Sequence, residues 1–374
     1  MSKKNVILDK YIATLVLYAL GDTIAFKNGD WLFGYGKKVI SLDVVNEMLY
    51  EFIDLGGING INLENWKISI NTLLHTATAY GMIDYFNDGK KKSIVDYVEH
   101  KYEEAYIKIF EDFNKNIKRG VKLHLRNIMD AVTKGKELIC DPCMNFNEYD
   151  RDNTSAIRTL CVGLLFNGNN KRLELIDNAI KISKITTCSP IGFLGGLTSA
   201  LFAAFAIEKI EITKWPFELI KILNDKELVT EHITNDNLKN EYDSYMSYWE
   251  KYIELRFSGD TVIKTKVNTN VIFRSKFYYD NFTSEETSYT IGMSGISCVI
   301  MAYDCLLDAG NKWEKLIIYS ALDYGDNYSV ASIACGLYGA YYGWGDIPPQ
   351  NLKYLEYKNE IFEVAKSLYK LANK

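Results

Sequence analysis

Two stretches of the chain, residues 189–207 and 327–345, run without a charged side chain. Each is near the length of a membrane span. Both are rich in Gly, Ala, Ser and Thr rather than Leu and Ile, and the second carries Asn327, Ser329 and Ser332. Small residues let helix backbones approach closely, so both stretches are predicted to be central buried helices of a helical domain, not membrane spans. Helices of that kind need amphipathic ones around them. The chain has only 5 prolines in 374 residues, which leaves room for long uninterrupted helices.

Apolar residues recurring three and four apart predict a helix over 9–26, through Tyr11, Ile12, Leu15, Tyr18 and Ala19. The same reading gives helices over 42–54, 69–86, 94–114, 156–166, 173–185, 191–207, 215–223 and 239–256, then 297–308, 313–323, 328–342 and 354–371. Ser69 is a predicted N-cap, because its hydroxyl can accept from a first-turn amide. Residues 140–152 read as irregular. Residues 258–289 read as an irregular excursion, a surface loop or a partner-binding segment, with short strands around 267–273. There is no βαβ alternation, no repeat and no low-complexity linker. The expectation is one all-α domain over 1–374, with its core at 9–372.

Lys and Arg number 43 against 48 Asp and Glu, a formal net charge of -5, so no basic footprint points to nucleic acid. The Lys90-Lys91-Lys92 run beside Gly89 reads as a solvated turn. Seven scattered cysteines and an N-terminus without an apolar run suit a reduced, cytoplasmic setting. Cys140-Asp141-Pro142-Cys143 lacks the second pair a zinc ribbon needs, and reads as two free thiols. His75, His100, His124 and His232 show no ligand spacing. No nucleophile elbow, Walker loop or dinucleotide fingerprint occurs.

Two segments carry more information. Trp66-Lys67-Ile68-Ser69-Ile70-Asn71-Thr72 leads into one helix, and Tyr324-Gly325-Asp326-Asn327-Tyr328-Ser329 leads into another. Both gather oxygen-bearing side chains at a helix start. They can be two N-caps, or two halves of one site that meet in space.

In this order, and with Tyr18-Ala19-Leu20-Gly21-Asp22, Ala156-Ile157-Arg158, Cys161-Val162-Gly163-Leu164, Gly192-Phe193-Leu194-Gly195, Met301-Ala302-Tyr303-Asp304 and Gly339-Ala340-Tyr341-Tyr342-Gly343, the chain resembles the ADP-ribosylglycohydrolase family. The likeness is to its ADP-ribosylarginine hydrolase branch in particular. The resemblance runs nearly end to end. It implies an all-α fold with a central cleft that binds two magnesium ions and an ADP-ribosyl group. The implied reaction is hydrolysis of the bond between the ribose and a modified side chain.

The same resemblance implies where the ligands belong. Ser69, Ile70, Asn71 and Thr72 stand at a Ser-Asp-Asp-Thr type segment, so both aspartates are replaced. Asp326, Tyr328 and Ser329 stand at a Gly-Gly-Asp-x-Asp-Ser/Thr type segment, so one aspartate survives. Magnesium wants near-octahedral hard oxygens with carboxylates offsetting its charge. Asp326 is the single residual acid, with Ser69, Asn71, Thr72 and Ser329 as neutral remnants. Ile70 and Tyr328 stand at lost ligand positions. Leu32, after Trp31, replaces a glutamate on an early loop, with Asp30 nearby. The phosphate-cradling stretch reads Arg151-Asp152-Asn153-Thr154-Ser155, where Asp152 repels a phosphate while Arg151 and the helix start at Ser155 attract it. Histidine-bearing turns read Thr186-Thr187-Cys188-Ser189-Pro190 and Gly295-Ile296-Ser297.

The remaining ADP-ribose contacts implied are Ser155, Ser294, Gly295 and Ser297. The expectation is a relative that has lost hydrolysis, binds no magnesium tightly, and takes ADP-ribose or an ADP-ribosylated protein as partner, without nucleic acid or membrane. A weak or altered hydrolase using Asp326, and a metal-free ADP-ribose-binding or structural protein, are the alternatives.

Overall fold

The computed structural model describes residues 3–32, 42–120, 132, 148–225, 229, 232–233, 235–264, 270–284 and 290–374. The first helices are α1 (Lys3–Phe26), α2 (Leu42–Asp54), α3 (Gly57–Gly60), α4 (Ile70–Asn87) and α5 (Ile94–Asn114). They are followed by α6 (Thr154–Arg158), α7 (Leu160–Leu165), α8 (Arg172–Ser183), α9 (Pro190–Glu208), α10 (Trp215–Asn224) and α11 (Asp236–Arg256). The last are α12 (Val271–Phe282), α13 (Gly295–Ala309), α14 (Trp313–Ala321), α15 (Asn327–Tyr342) and α16 (Lys358–Ala372). The all-α expectation holds, and most predicted helices lie within a few residues of observed ones.

The two uncharged stretches become α9 and α15, and both are interior. Every residue of α9 from Pro190 to Ala206 is buried, as is every residue of α15 from Asn327 to Ala340. α9 is long and apolar enough to cross a membrane, but it is wrapped by α6, α7, α8, α11, α13 and α15. α15 runs along α1 in the most extensive helix pair of the structure. Small side chains make that approach feasible: a Cβ on Gly339 would stand 2.5 Å from the Ala13 carbonyl oxygen.

Three expectations need correction. Residues 156–166 are not one helix. The backbone turns at Thr159, whose hydroxyl donates to the Ser155 and Gly196 carbonyls, and α6 and α7 lie on either side. Residues 148–151, within the stretch read as irregular, form a turn of 3-10 helix. The described part of the 258–289 excursion is more ordered than expected. It holds an antiparallel strand pair at Phe257–Ser258 and Thr261–Val262, and α12 occupies 271–282, so the strands expected around 267–273 are replaced by helix from 271 on, while 267–269 lie outside the described residues. Cys140, Cys143 and His124 lie outside the described residues.

A buried ion cluster explains the order of α12. Asp304 on α13 accepts from Arg256 Nε at 2.8 Å and from Tyr252 on α11 at 2.7 Å. From α12 it accepts Arg274 Nη2 and the Tyr278 hydroxyl, each at 2.6 Å. Asp308 accepts from both arginines. Burial opposes charge on Asp304, yet Arg274 and Arg256 hold its carboxyl below the ordinary value. The buried face of α12 mixes Val271, Tyr278 and Phe282 with Arg274 and Ser275, so its helical period is not a purely apolar one that the sequence displays. Removing one partner of such a cluster strands buried charge, so Asp304→Ala should lose about 3–5 kcal/mol in urea unfolding. A loss below about 1 kcal/mol would contradict this account.

Candidate functional site

The site is organised by a carboxylate within α1. Asp22 is buried at the foot of α4. Its Oδ2 accepts from the Ser69 amide at 2.9 Å, the Thr72 amide at 3.3 Å and the Thr72 hydroxyl at 2.5 Å, while Oδ1 accepts from the Ser69 hydroxyl at 2.5 Å. An α-helix begins with four amides that lack intrahelical partners, and a negative charge there is favourable. Ser69 serves as the predicted N-cap, accepting from Asn71 N at 3.0 Å. Burial pushes the Asp22 carboxyl up to about 6, against the hydrogen bonds from Ser69 and Thr72.

The two polar segments do meet. Asn71 Nδ2 donates to Ser329 Oγ at 3.1 Å, joining the first turn of α4 to the first turn of α15. Asn71 Oδ1 is buried and has no hydrogen-bond partner. Asp326, the N-cap of α15, is buried, and its Oδ2 accepts from Asn153 Nδ2 at 2.7 Å. The same amide group donates to the Gly292 carbonyl at 2.6 Å. Asn153 N donates to the Met293 carbonyl at 2.9 Å. The 150–155, 290–297 and 324–329 segments therefore converge on Asp326.

The two remaining positions are filled by large side chains. Ile70 is fully buried in the apolar core. Tyr328 is buried, packs against Phe26 with ring centroids 5.7 Å apart, and donates to the Gly120 carbonyl at 3.0 Å. Leu32 packs half-buried against the core, beside a Trp31 whose indole donates to Glu51 at 2.6 Å.

The other candidates have roles within the fold. Ser155 is buried and donates to the Ser183 carbonyl at 3.3 Å. Ser294 and Ser297 form a capping box at the start of α13. Gly295 lies where α13 crosses α9, and a Cβ there would be 2.1 Å from the Ile191 carbonyl oxygen. Arg151 pairs with Glu241 at 2.6 Å. Asp152 is turned onto its own helix start, accepting from the Thr154 amide at 2.9 Å and the Thr154 hydroxyl at 2.8 Å. His75 is buried against Tyr18 and accepts from Cys161 N at 3.2 Å, and burial pushes it down to about 3, so it stays neutral. Among the described residues no group of three or more His, Cys, Asp or Glu side chains is placed to hold a metal.

Asp22 and Asn153 were not singled out as site residues. Asp22 had a signal, being the one charged residue in the 11–26 run. A lone carboxylate in a buried helix must find donors.

An all-helical scaffold in which two polar helix starts converge on one buried junction defines the class. The chain belongs to the ADP-ribosylglycohydrolase family, whose family model matches residues 3–374. A protein of Acanthamoeba polyphaga mimivirus, described as the ADP-ribosyl glycohydrolase L444, is 33% identical over 359 residues, 93% of this chain and 67% of its own length. ADP-ribosylhydrolase ARH1 of Dictyostelium discoideum is 28% identical over 375 residues, 95% of this chain and 92% of its own. Among solved structures, an ADP-ribosylglycohydrolase-related protein complex is similar in fold, with a TM-score of 0.55 at 14% identity over 98% of this chain and 99% of that one.

Two outcomes test this geometry. Asp22→Ala strips the acceptor from four donors at the foot of α4 and should cost about 3 kcal/mol in urea unfolding. A cost near zero would mean that water replaces the carboxylate. The second concerns Asp323, which precedes the Tyr324–Ser329 segment. It accepts from the Ser275 hydroxyl and from Tyr324 N at 2.8 Å, while its other oxygen has no partner. Burial pushes it up to about 7. From about pH 4 to about pH 7 the native chain keeps a proton that the unfolded chain has released, so this group's contribution to stability falls as pH rises. Asp323→Asn should gain on the wild type across that window, and a constant difference between them would refute the assignment.

Proposed function

We propose that this chain keeps the scaffold of its family and has given up metal-assisted hydrolysis, serving instead as a binding or structural protein. The observation that carries the reading is the contact between Asn71 and Ser329, with Ile70 and Tyr328 at their flanks. Two magnesium ions need a nearly complete shell of hard oxygens with carboxylates among them. The Ser69 and Thr72 hydroxyls are bonded to Asp22, Ser329 Oγ to Asn71, and the Tyr328 hydroxyl to a backbone carbonyl. Ile70 offers no donor atom. Asp326 is the one carboxylate at these positions and already accepts from Asn153, and a single acid with neutral oxygens such as Asn71 Oδ1 does not fit two divalent ions.

The test is release of ADP-ribose from ADP-ribosylated arginine with added magnesium. The expected rate is that of the uncatalysed control. Turnover at the rate of an active family member would overturn the reading. Turnover that is slow, and abolished by Asp326→Ala, would instead identify an altered hydrolase using that acid. Calorimetry with ADP-ribose then separates the two non-catalytic roles. Binding that is indifferent to magnesium marks a metal-free ADP-ribose-binding protein, and no binding marks a structural one.

A further inference from the structure

The backbone leaving α5 does not simply move away from the site. Residues 117–120 cross the junction of α4 and α15, and two successive carbonyls are used there. The Arg119 carbonyl accepts from the Ile70 amide at 2.8 Å, and the Gly120 carbonyl accepts from the Tyr328 hydroxyl at 3.0 Å. Gly120 has φ +69°, and a Cβ there would stand 2.8 Å from the Phe26 ring. The segment thus lies against the ring that packs on Tyr328.

Its anchor is a buried arginine. Arg119 donates to Asp112 at 2.9 Å, to the Ile68 carbonyl at 2.8 Å, and to both oxygens of Glu356 at 2.6 and 3.2 Å. These bonds join α5, the approach to α4 and the approach to α16. The Ile70 amide is also the first unpaired donor of α4. With Asn71 N on Ser69 Oγ, Thr72 N on Asp22 and Leu73 N on the Ser69 carbonyl, no first-turn amide of α4 is left for an outside anion.

We infer that residues 117–120 form a strap that seals the junction, and that Tyr328 is its latch. On this view Tyr328 does more than replace a carboxylate: its hydroxyl supplies a bond that an aspartate, being an acceptor, could not give to a carbonyl. The inference deepens the functional reading and rests on it in one respect, that Tyr328 ligates no cation.

Tyr328→Phe removes only the latch hydroxyl and keeps the packing on Phe26. Two rates report strap opening in the full chain: hydrogen exchange of the Ile70 amide, and tryptic cleavage after Arg119. Each should rise roughly five- to tenfold, the effect of losing one neutral hydrogen bond, while amides in the middle of α9 exchange as before. Wild-type rates at either probe in the variant would overturn the strap. If the variant does not fold, the wild type decides alone. Its Ile70 amide must be protected like its helical neighbours, and exchange at the rate of an unstructured peptide overturns the proposal. Neither probe involves turnover. A chain that hydrolyses its substrate and still shows these rates would lose the functional reading and keep the strap.

Discussion

Asp22 holds its charge under the first turn of α4, and the geometry of the site follows from that contact. The carboxylate takes both hydroxyls and two amides of the Ser69–Thr72 turn, so it fixes where α4 starts and how that start faces α15. The α1–α15 pair supplies the other half of the constraint, because α1 carries Asp22 and α15 begins at the residues that meet Asn71. A buried acid with this many donors is costly to remove and costly to leave unpaired. It works as a structural fixture, and the side chains around it could change without moving the helices.

Scaffold and junction are built by different interactions. The scaffold rests on packing: small residues in α9 and α15, the buried acid of α1, and close helix crossings such as the one at Gly295. At the junction itself the side chains are committed to packing and to one another. Ile70 joins the core, Tyr328 packs on Phe26 and reaches the backbone after α5, and Asn71 bridges to Ser329. Direct protein contacts now join the elements at this junction.

Charge is used in the interior elsewhere too, with the same result of fixing elements in place. The Arg256–Asp304–Arg274–Asp308 cluster secures α12, and Arg119 with Asp112 and Glu356 secures the segment after α5. Such clusters add little net stability over apolar packing, but they tolerate few alternative arrangements.

The sequence by itself determined the class of fold and most of its helices, because three- and four-residue spacing and scarce proline leave few other outcomes for a chain of this size. It also determined which acids are present: no conformation can give Ile70 or Tyr328 a carboxylate. It did not reveal α12, the turn at Thr159 or the short strands at 257–262. These depend on buried ion pairs and on hydroxyl-to-carbonyl bonds between residues distant in sequence. Asp22 was visible as an isolated charge but its partners, some fifty residues away, were not. Arg119, which nothing in the sequence marked out, is a buried anchor because Asp112, Glu356 and the Ile68 carbonyl surround it. Tertiary structure alone decided that the two polar helix starts meet, since hydrogen bonds across 258 residues of chain leave no local period to read.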